Sequence, residues 1–177
     1  TADPLEYYTP ELKDFILSRY VRTVEPISGK IDYDIDGKLI GNWFEENSNG
    51  YMGTDENRSA GAYWKTHLSI SPEQYDPTQI IVSMGFLYQQ LERAEDMQYM
   101  VLPGGPDPAE VGVETGLVKY DLARWDYFFP DGTRWDKMSL ATGEITVKPD
   151  PTRHFGCAAA QLTERRKLKF ELFIGQK

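Results

Sequence analysis

Cysteine, histidine and positive charge are all scarce in this chain, and each scarcity removes a class of function. One cysteine, Cys157, in 177 residues cannot close an internal disulfide or complete a zinc cluster, so packing has to supply the stability. The two histidines, His67 and His154, stand far apart and outside any His-Glu-x-x-His pattern. Gly-x-Ser-x-Gly is also missing, so Ser69 and Ser71 have no nucleophile elbow around them. Lys and Arg number 19 against 28 Asp and Glu, a net charge of -9 that on average repels a nucleic-acid backbone or an anionic bilayer. Nucleic acid is therefore not an expected partner. No apolar run approaches the roughly 18 to 20 residues that span a bilayer, and the first residues lack the basic-then-apolar layout of a signal peptide. The expectation is a soluble chain that does not span a membrane.

What remains is 40% hydrophobic, 13% aromatic and 27% charged, a composition that suits one domain over residues 1–177. Thr9-Pro10-Glu11 has the order of an N-cap, a first-turn proline and a first-turn acid, and Leu12, Phe15, Ile16 and Tyr20 follow at helical spacing. This predicts a helix over 10–22, followed by a linker to residue 29. Everything after it reads as short strands: 30–36, 38–45, 62–70, 79–87, 97–102, 117–129, 138–147, 154–162 and 167–174. Turn chemistry separates them at Tyr75-Asp76-Pro77, Pro103-Gly104-Gly105-Pro106, Pro130-Asp131-Gly132, Thr142-Gly143 and Lys148-Pro149-Asp150-Pro151. The last two strands read as a hairpin closed at Thr163-Glu164-Arg165-Arg166. The predicted fold is mainly β: a single antiparallel barrel of about eight or nine strands over 30–177, with the one helix plugging an end or packed outside. Two loops, 47–61 and 102–111, would frame its mouth.

Several residue groups are candidates for chemistry. Asp32, Asp34 and Asp36 precede Gly37 with the spacing that opens a calcium loop, in which alternate oxygens converge on one hard cation. The bidentate Glu required at the twelfth position is replaced by Trp43, so the favoured reading is a strand with its acids outward and no cofactor. Cys157, among Gly156 and three alanines, reads as inert packing. His67 beside Leu68 reads as a hydrogen-bonded core or rim imidazole. Trp125, Tyr127 and Trp135 gather aromatics near one hairpin tip, where they suit either stacking on a sugar or peptide or plain core packing. The ligand-binding candidates are thus Trp43, Tyr63, Trp64, His67, Trp125, Tyr127 and Trp135.

Two resemblances add to this. Gly41-Asn42-Trp43 resembles the first motif of the lipocalins, which implies a tryptophan at the barrel bottom stacked under Arg165 or Arg166; the second and third lipocalin motifs are not recognisable. The run from Gly29 through Asp34-Ile35-Asp36-Gly37 to Phe44 carries the second resemblance. With it stand Pro106-Asp107-Pro108-Ala109-Glu110-Val111, Thr115-Gly116-Leu117-Val118-Lys119-Tyr120 and the closing Lys167-Leu168-Lys169-Phe170-Glu171-Leu172-Phe173. Together these resemble an uncharacterised bacterial β-rich domain that follows a lysostaphin-type metallopeptidase-like domain. That resemblance covers residues 4–175 and implies an accessory domain acting outside the cytoplasm, with Asp3-Pro4-Leu5 as the end of a linker. It brings no zinc ligands onto this chain.

Three functions of different classes follow. The leading one is a non-enzymatic binding or accessory barrel for a small molecule or cell-envelope component. The second is a hydrolase using carboxylates, Asp32, Asp34 and Asp36, at the barrel mouth, with or without a metal. The third is a structural module that assembles into an oligomer.

Overall fold

The computed structural model describes residues 3–22, 27–28, 33–53, 66–85, 97–139, 141 and 144–176. Eight strands form one antiparallel sheet: β1 (Gly41–Phe44), β2 (His67–Pro72), β3 (Ile80–Ser83), β4 (Gln98–Val101), β5 (Val118–Phe128), β6 (Arg134–Trp135), β7 (Thr146–Glu164) and β8 (Lys167–Ile174). Their order is β1-β2-β3-β4-β5-β7-β8, and β6 pairs with the far end of β5. The sheet curls into a half-barrel, so the mainly-β, barrel-like expectation is borne out. Among the described residues no helix is long and apolar enough to cross a membrane.

Local chemistry sets the hairpins. At the tip of β5 and β6, Phe129 N donates to Thr133 O (2.8 Å), and the Asp131 carboxylate accepts from Thr133 N (2.9 Å) and its hydroxyl (2.7 Å). The β7–β8 hairpin leaves only Arg165-Arg166 at its turn, with Glu164 opposite Lys167. In β8, Leu168, Phe170 and Leu172 meet the core while Lys167, Lys169 and Glu171 stay exposed, as period-two alternation requires.

The sheet buries both faces over part of its area. Ile81 and Val82 are neighbours on β3, and Tyr99 and Met100 are neighbours on β4, yet each pair is split between two apolar clusters. Successive side chains of a strand point to opposite faces, so the clusters lie on opposite sides of the sheet. The larger one gathers Leu39, Leu68, Ile70, Val82, Tyr120, Leu122 and Leu162. The smaller one gathers Ile81, Met100, Tyr127, Trp135, Ile145 and Val147 under the β5–β6 extension. Each fully buried side chain of this size contributes about 1.5–3 kcal/mol of transfer free energy.

Four expectations are corrected. The helix α1 runs only over Pro10–Leu17, because the Ser18 hydroxyl donates to Phe15 O (2.8 Å) and the next amides close three-residue turns that end it. It plugs nothing: none of its residues is buried, and the chain is anchored on either side of it by Leu5, which is buried, and by Val21, which packs on the smaller cluster. Residues 33–36 are not a strand; Lys38 N donates to Ile35 O (3.0 Å) in a turn through Gly37. The strand expected over 138–147 begins only at Thr146, since the Asp136 carboxylate curls 136–139 into a turn. Finally, Lys148-Pro149-Asp150-Pro151 does not reverse the chain but lies inside the 19-residue β7. Pairing with β8 starts at Gly156, so among the described residues this half of β7 has a strand on one side only, and its register shifts opposite Ala123 and Arg124. A one-sided, bulged stretch tolerates proline.

Candidate functional site

Two cavities that share no lining residue take up four of the candidates, Trp43 in one and Trp125, Tyr127 and Trp135 in the other. The first, about 770 Å³, lies along the seam between β1 and β8, whose facing edges form no ladder among the described residues. Trp43, Phe44, Arg166, Lys169 and Phe170 line it. Across the seam, Asp36 pairs with Arg165 and with Arg166 (3.4 Å). Both arginines that the lipocalin-like reading brings over Trp43 are thus directed at a carboxylate, although Arg166 also shares the groove with the indole. The Trp43 indole N–H donates to Leu39 O (2.9 Å), which spends its polar end on the chain itself.

Gly41 is required here by close approach. Its φ is +137°, and a Cβ would stand 2.6 Å from Asp34 Oδ1. That oxygen accepts from Asn42 N (2.7 Å) and Asn42 Nδ2 (3.0 Å), which leaves Asn42 Oδ1 facing His67 Nε2 at 2.9 Å. Nδ2 must donate to the carboxylate, so Oδ1 accepts and His67 carries its proton on Nε2. Burial lowers the His67 pKa, against the pull of Asp34, and the ring stacks on Phe44 at 5.0 Å. The imidazole is half-buried and its Nε2 is hydrogen-bonded within the chain. Of the calcium-loop acids, Asp32 lies outside the described residues, Asp34 holds Asn42 and Asp36 holds two arginines. Among the described residues no three His, Cys, Asp or Glu side chains are grouped to hold a metal ion. Tyr63 and Trp64 also lie outside the described residues.

The second cavity, about 630 Å³, opens over β5 and β6 and brings together Trp125, Tyr127 and Trp135. Tyr127 (4% exposed) and Trp135 (8%) serve as floor and core, not as stacking platforms, whereas Trp125 is half-buried and walls the cavity. The rings hold one another edge-on: Tyr127 lies 5.9 Å from Trp135 and Tyr75 lies 5.5 Å from Tyr127. Beneath them Glu73, only 2% exposed, accepts from the Tyr127 hydroxyl (2.8 Å), Tyr75 N (2.6 Å) and Asp76 N (2.9 Å). Burial pushes the Tyr127 pKa up, the Trp125 indole N–H opposes it, and the Glu73 charge raises it further.

Charge surrounds these rings. Asp126 is clamped between Arg134 and Arg153, and Arg153 Nε also reaches Asp150 (2.7 Å). Lys137 lies with its ammonium 4.3 Å from the Tyr127 ring centre and 5.6 Å from that of Trp125. Burial lowers the Lys137 pKa, while Glu73 and Asp126 oppose the shift. Glu73, Arg124, Arg134, Lys137 and Arg153 were not among the sequence candidates. The only local signals for them are the Asp136-x-x-Ser139 turn beside Lys137 and the Asp150–Arg153 spacing of three.

The ion network gives a direct titration test. Thr152 and then Arg153 hold the half-buried Asp150 carboxyl down to about 2. A depressed acid adds its stabilisation above its ordinary value of 3.8 and loses it as pH falls through about 2. Carboxyl NMR titration should therefore give a midpoint near 2 for Asp150, moving up toward 3.8 in Arg153→Gln. An ordinary midpoint in both proteins would mean the network does not form in solution.

No family model, curated protein or solved structure matches this chain.

Proposed function

We propose that this chain is a non-enzymatic binding domain in which the curled sheet is the scaffold and the cavity over β5 and β6 is the ligand site. The observation that carries the reading is the convergence there of a half-buried indole and several cations on a floor of fixed rings. Arginine, lysine and indole hold a ligand by charge and contact, and Asp126, the carboxylate at the centre, is already taken by two guanidiniums. These groups suit retention of a ligand better than proton transfer to one. The volume fits a small molecule or one or two units of a polymer. The resemblance to an exported accessory domain directs the search to cell-envelope fragments.

Calorimetric titration of the full chain with peptidoglycan fragments, acidic oligosaccharides and fatty acids tests this. The expected result is binding by one class, weakened about fivefold or more in Trp125→Ala, with the ligand recovered unchanged by mass spectrometry. Hydrolysis of the bound ligand, or binding indifferent to Trp125, would overturn it.

A further inference from the structure

We propose that the ligand of the β5–β6 cavity is anionic and that Lys137 is the residue that meets its carboxylate or phosphate group; this rests on the binding reading above. The lining sets four cationic side chains, Arg124, Arg134, Lys137 and Arg153, against two carboxylates, Asp126 and Asp136, with Asp150 on Arg153 and Glu73 beneath the floor rings. These cations cluster on a chain whose net charge is -9, so what decides the ligand is which of them has no carboxylate of its own. Within it the cations differ in what they already hold. Arg134 and Arg153 share Asp126 and make a fixed frame. Among the described residues no carboxylate oxygen comes within 4.0 Å of the Lys137 ammonium, which rests over two aromatic rings instead.

The backbone under Lys137 is held where lysine is disfavoured. Its φ is +64°, in the left-handed region that costs a non-glycine residue about 1–2 kcal/mol. Asp136 Oδ1 fixes this turn by accepting from Met138 N (2.9 Å), Ser139 N (3.0 Å) and the Ser139 hydroxyl (3.0 Å). Trp135 Nε1 ties it down by donating to Ser139 O (2.9 Å). A glycine or asparagine would satisfy that backbone at lower cost, so a purely structural role does not call for lysine. The side chain, not the turn, is what the position supplies: an exposed ammonium steered over two rings in the lining of a ring-floored cavity.

The position also offers a clean test. Lys137→Gly removes the charge while relieving the backbone, so it should fold at least as stably as the parent chain. Three probes are titrated into the full chain at low salt: trigalacturonate, inorganic pyrophosphate and neutral maltotriose. One or both acidic probes should bind, about tenfold or more weaker in Lys137→Gly, with most of the affinity kept in Lys137→Arg. Which acid responds distinguishes carboxylate from phosphate. Binding by maltotriose as tight as by the acids, lost in Trp125→Ala but unchanged in Lys137→Gly, would overturn the anion inference and leave the binding site standing. Binding by none of the three would overturn the anion inference, and absence of any ligand in the wider envelope-fragment screen would remove the binding reading itself.

Discussion

Replacing Glu73 with alanine should destabilise the protein by about 3–5 kcal/mol, enough to shift a urea midpoint by more than a molar unit in a chain of this size. The side chain is 2% exposed and receives the Tyr127 hydroxyl and two successive amides, Tyr75 N and Asp76 N, of the β2–β3 turn. Truncation leaves one buried and two partly buried donors without an acceptor, each costing up to about 1–3 kcal/mol, with the sum reduced because they relax together. Glu73→Gln keeps the shape and one amide oxygen for the turn, and should lose roughly half as much. Urea denaturation of both variants is the check. A loss below about 1 kcal/mol in Glu73→Ala would mean that water replaces the carboxylate and that the floor of the cavity is not dry.

Gly156→Ala should be the other severe substitution, at about 3 kcal/mol or more, with loss of ordered β7–β8 pairing. A Cβ at this residue would stand 2.1 Å from Phe173 O and 3.0 Å from Ile174 Cα. Both obstacles are main chain on the paired strand, so no rotamer change makes room. Gly156 is also where the ladder to β8 begins, opposite Ile174. The strands must either separate or slip, and a slip of one residue turns Leu168, Phe170 and Leu172 away from the core. Denaturation together with amide exchange of β8 reads this out. Parent-like protection of β8 in the variant would show that the close approach is absent in solution.

The long strands were legible because their side chains alternate without interruption. Val118, Tyr120 and Leu122 alternate with Lys119 and Asp121, and β8 does the same, so burial on one face follows from composition alone. The proline pair within β7 misleads for a physical reason: proline signals a turn wherever both strand edges are used, and here one edge has no partner among the described residues. The acids at 34 and 36 alternate like a strand, but their partners, Asn42 and the arginines of the β7–β8 turn, come from elsewhere in the chain.

The candidate site was half legible. Trp125 and Tyr127 share a face of β5, and Trp135 lies opposite Tyr127 across a two-residue strand, so the aromatic cluster follows from spacing and the Pro130-Asp131-Gly132 turn. Its division into floor and wall does not, because the cover comes from Tyr75, Ile145 and Val147, which are distant in sequence. Lys137 and Glu73 were missed because each is a charged residue beside a turn, the commonest place for one. Only the fold reveals that one is buried under three donors and the other is held over two rings.

The measurement that bears most directly on this account is the indole N–H region of a nitrogen–proton NMR spectrum during titrations with trigalacturonate and with pyrophosphate. With four tryptophans in the chain, Trp43 reports the β1–β8 groove and Trp125 reports the β5–β6 cavity. The account predicts a saturable shift of the Trp125 resonance with at least one of the two acids, needing about tenfold or more ligand in Lys137→Gly, while Trp43 stays fixed. Movement of Trp43 with Trp125 silent would put the ligand at the seam and contradict it.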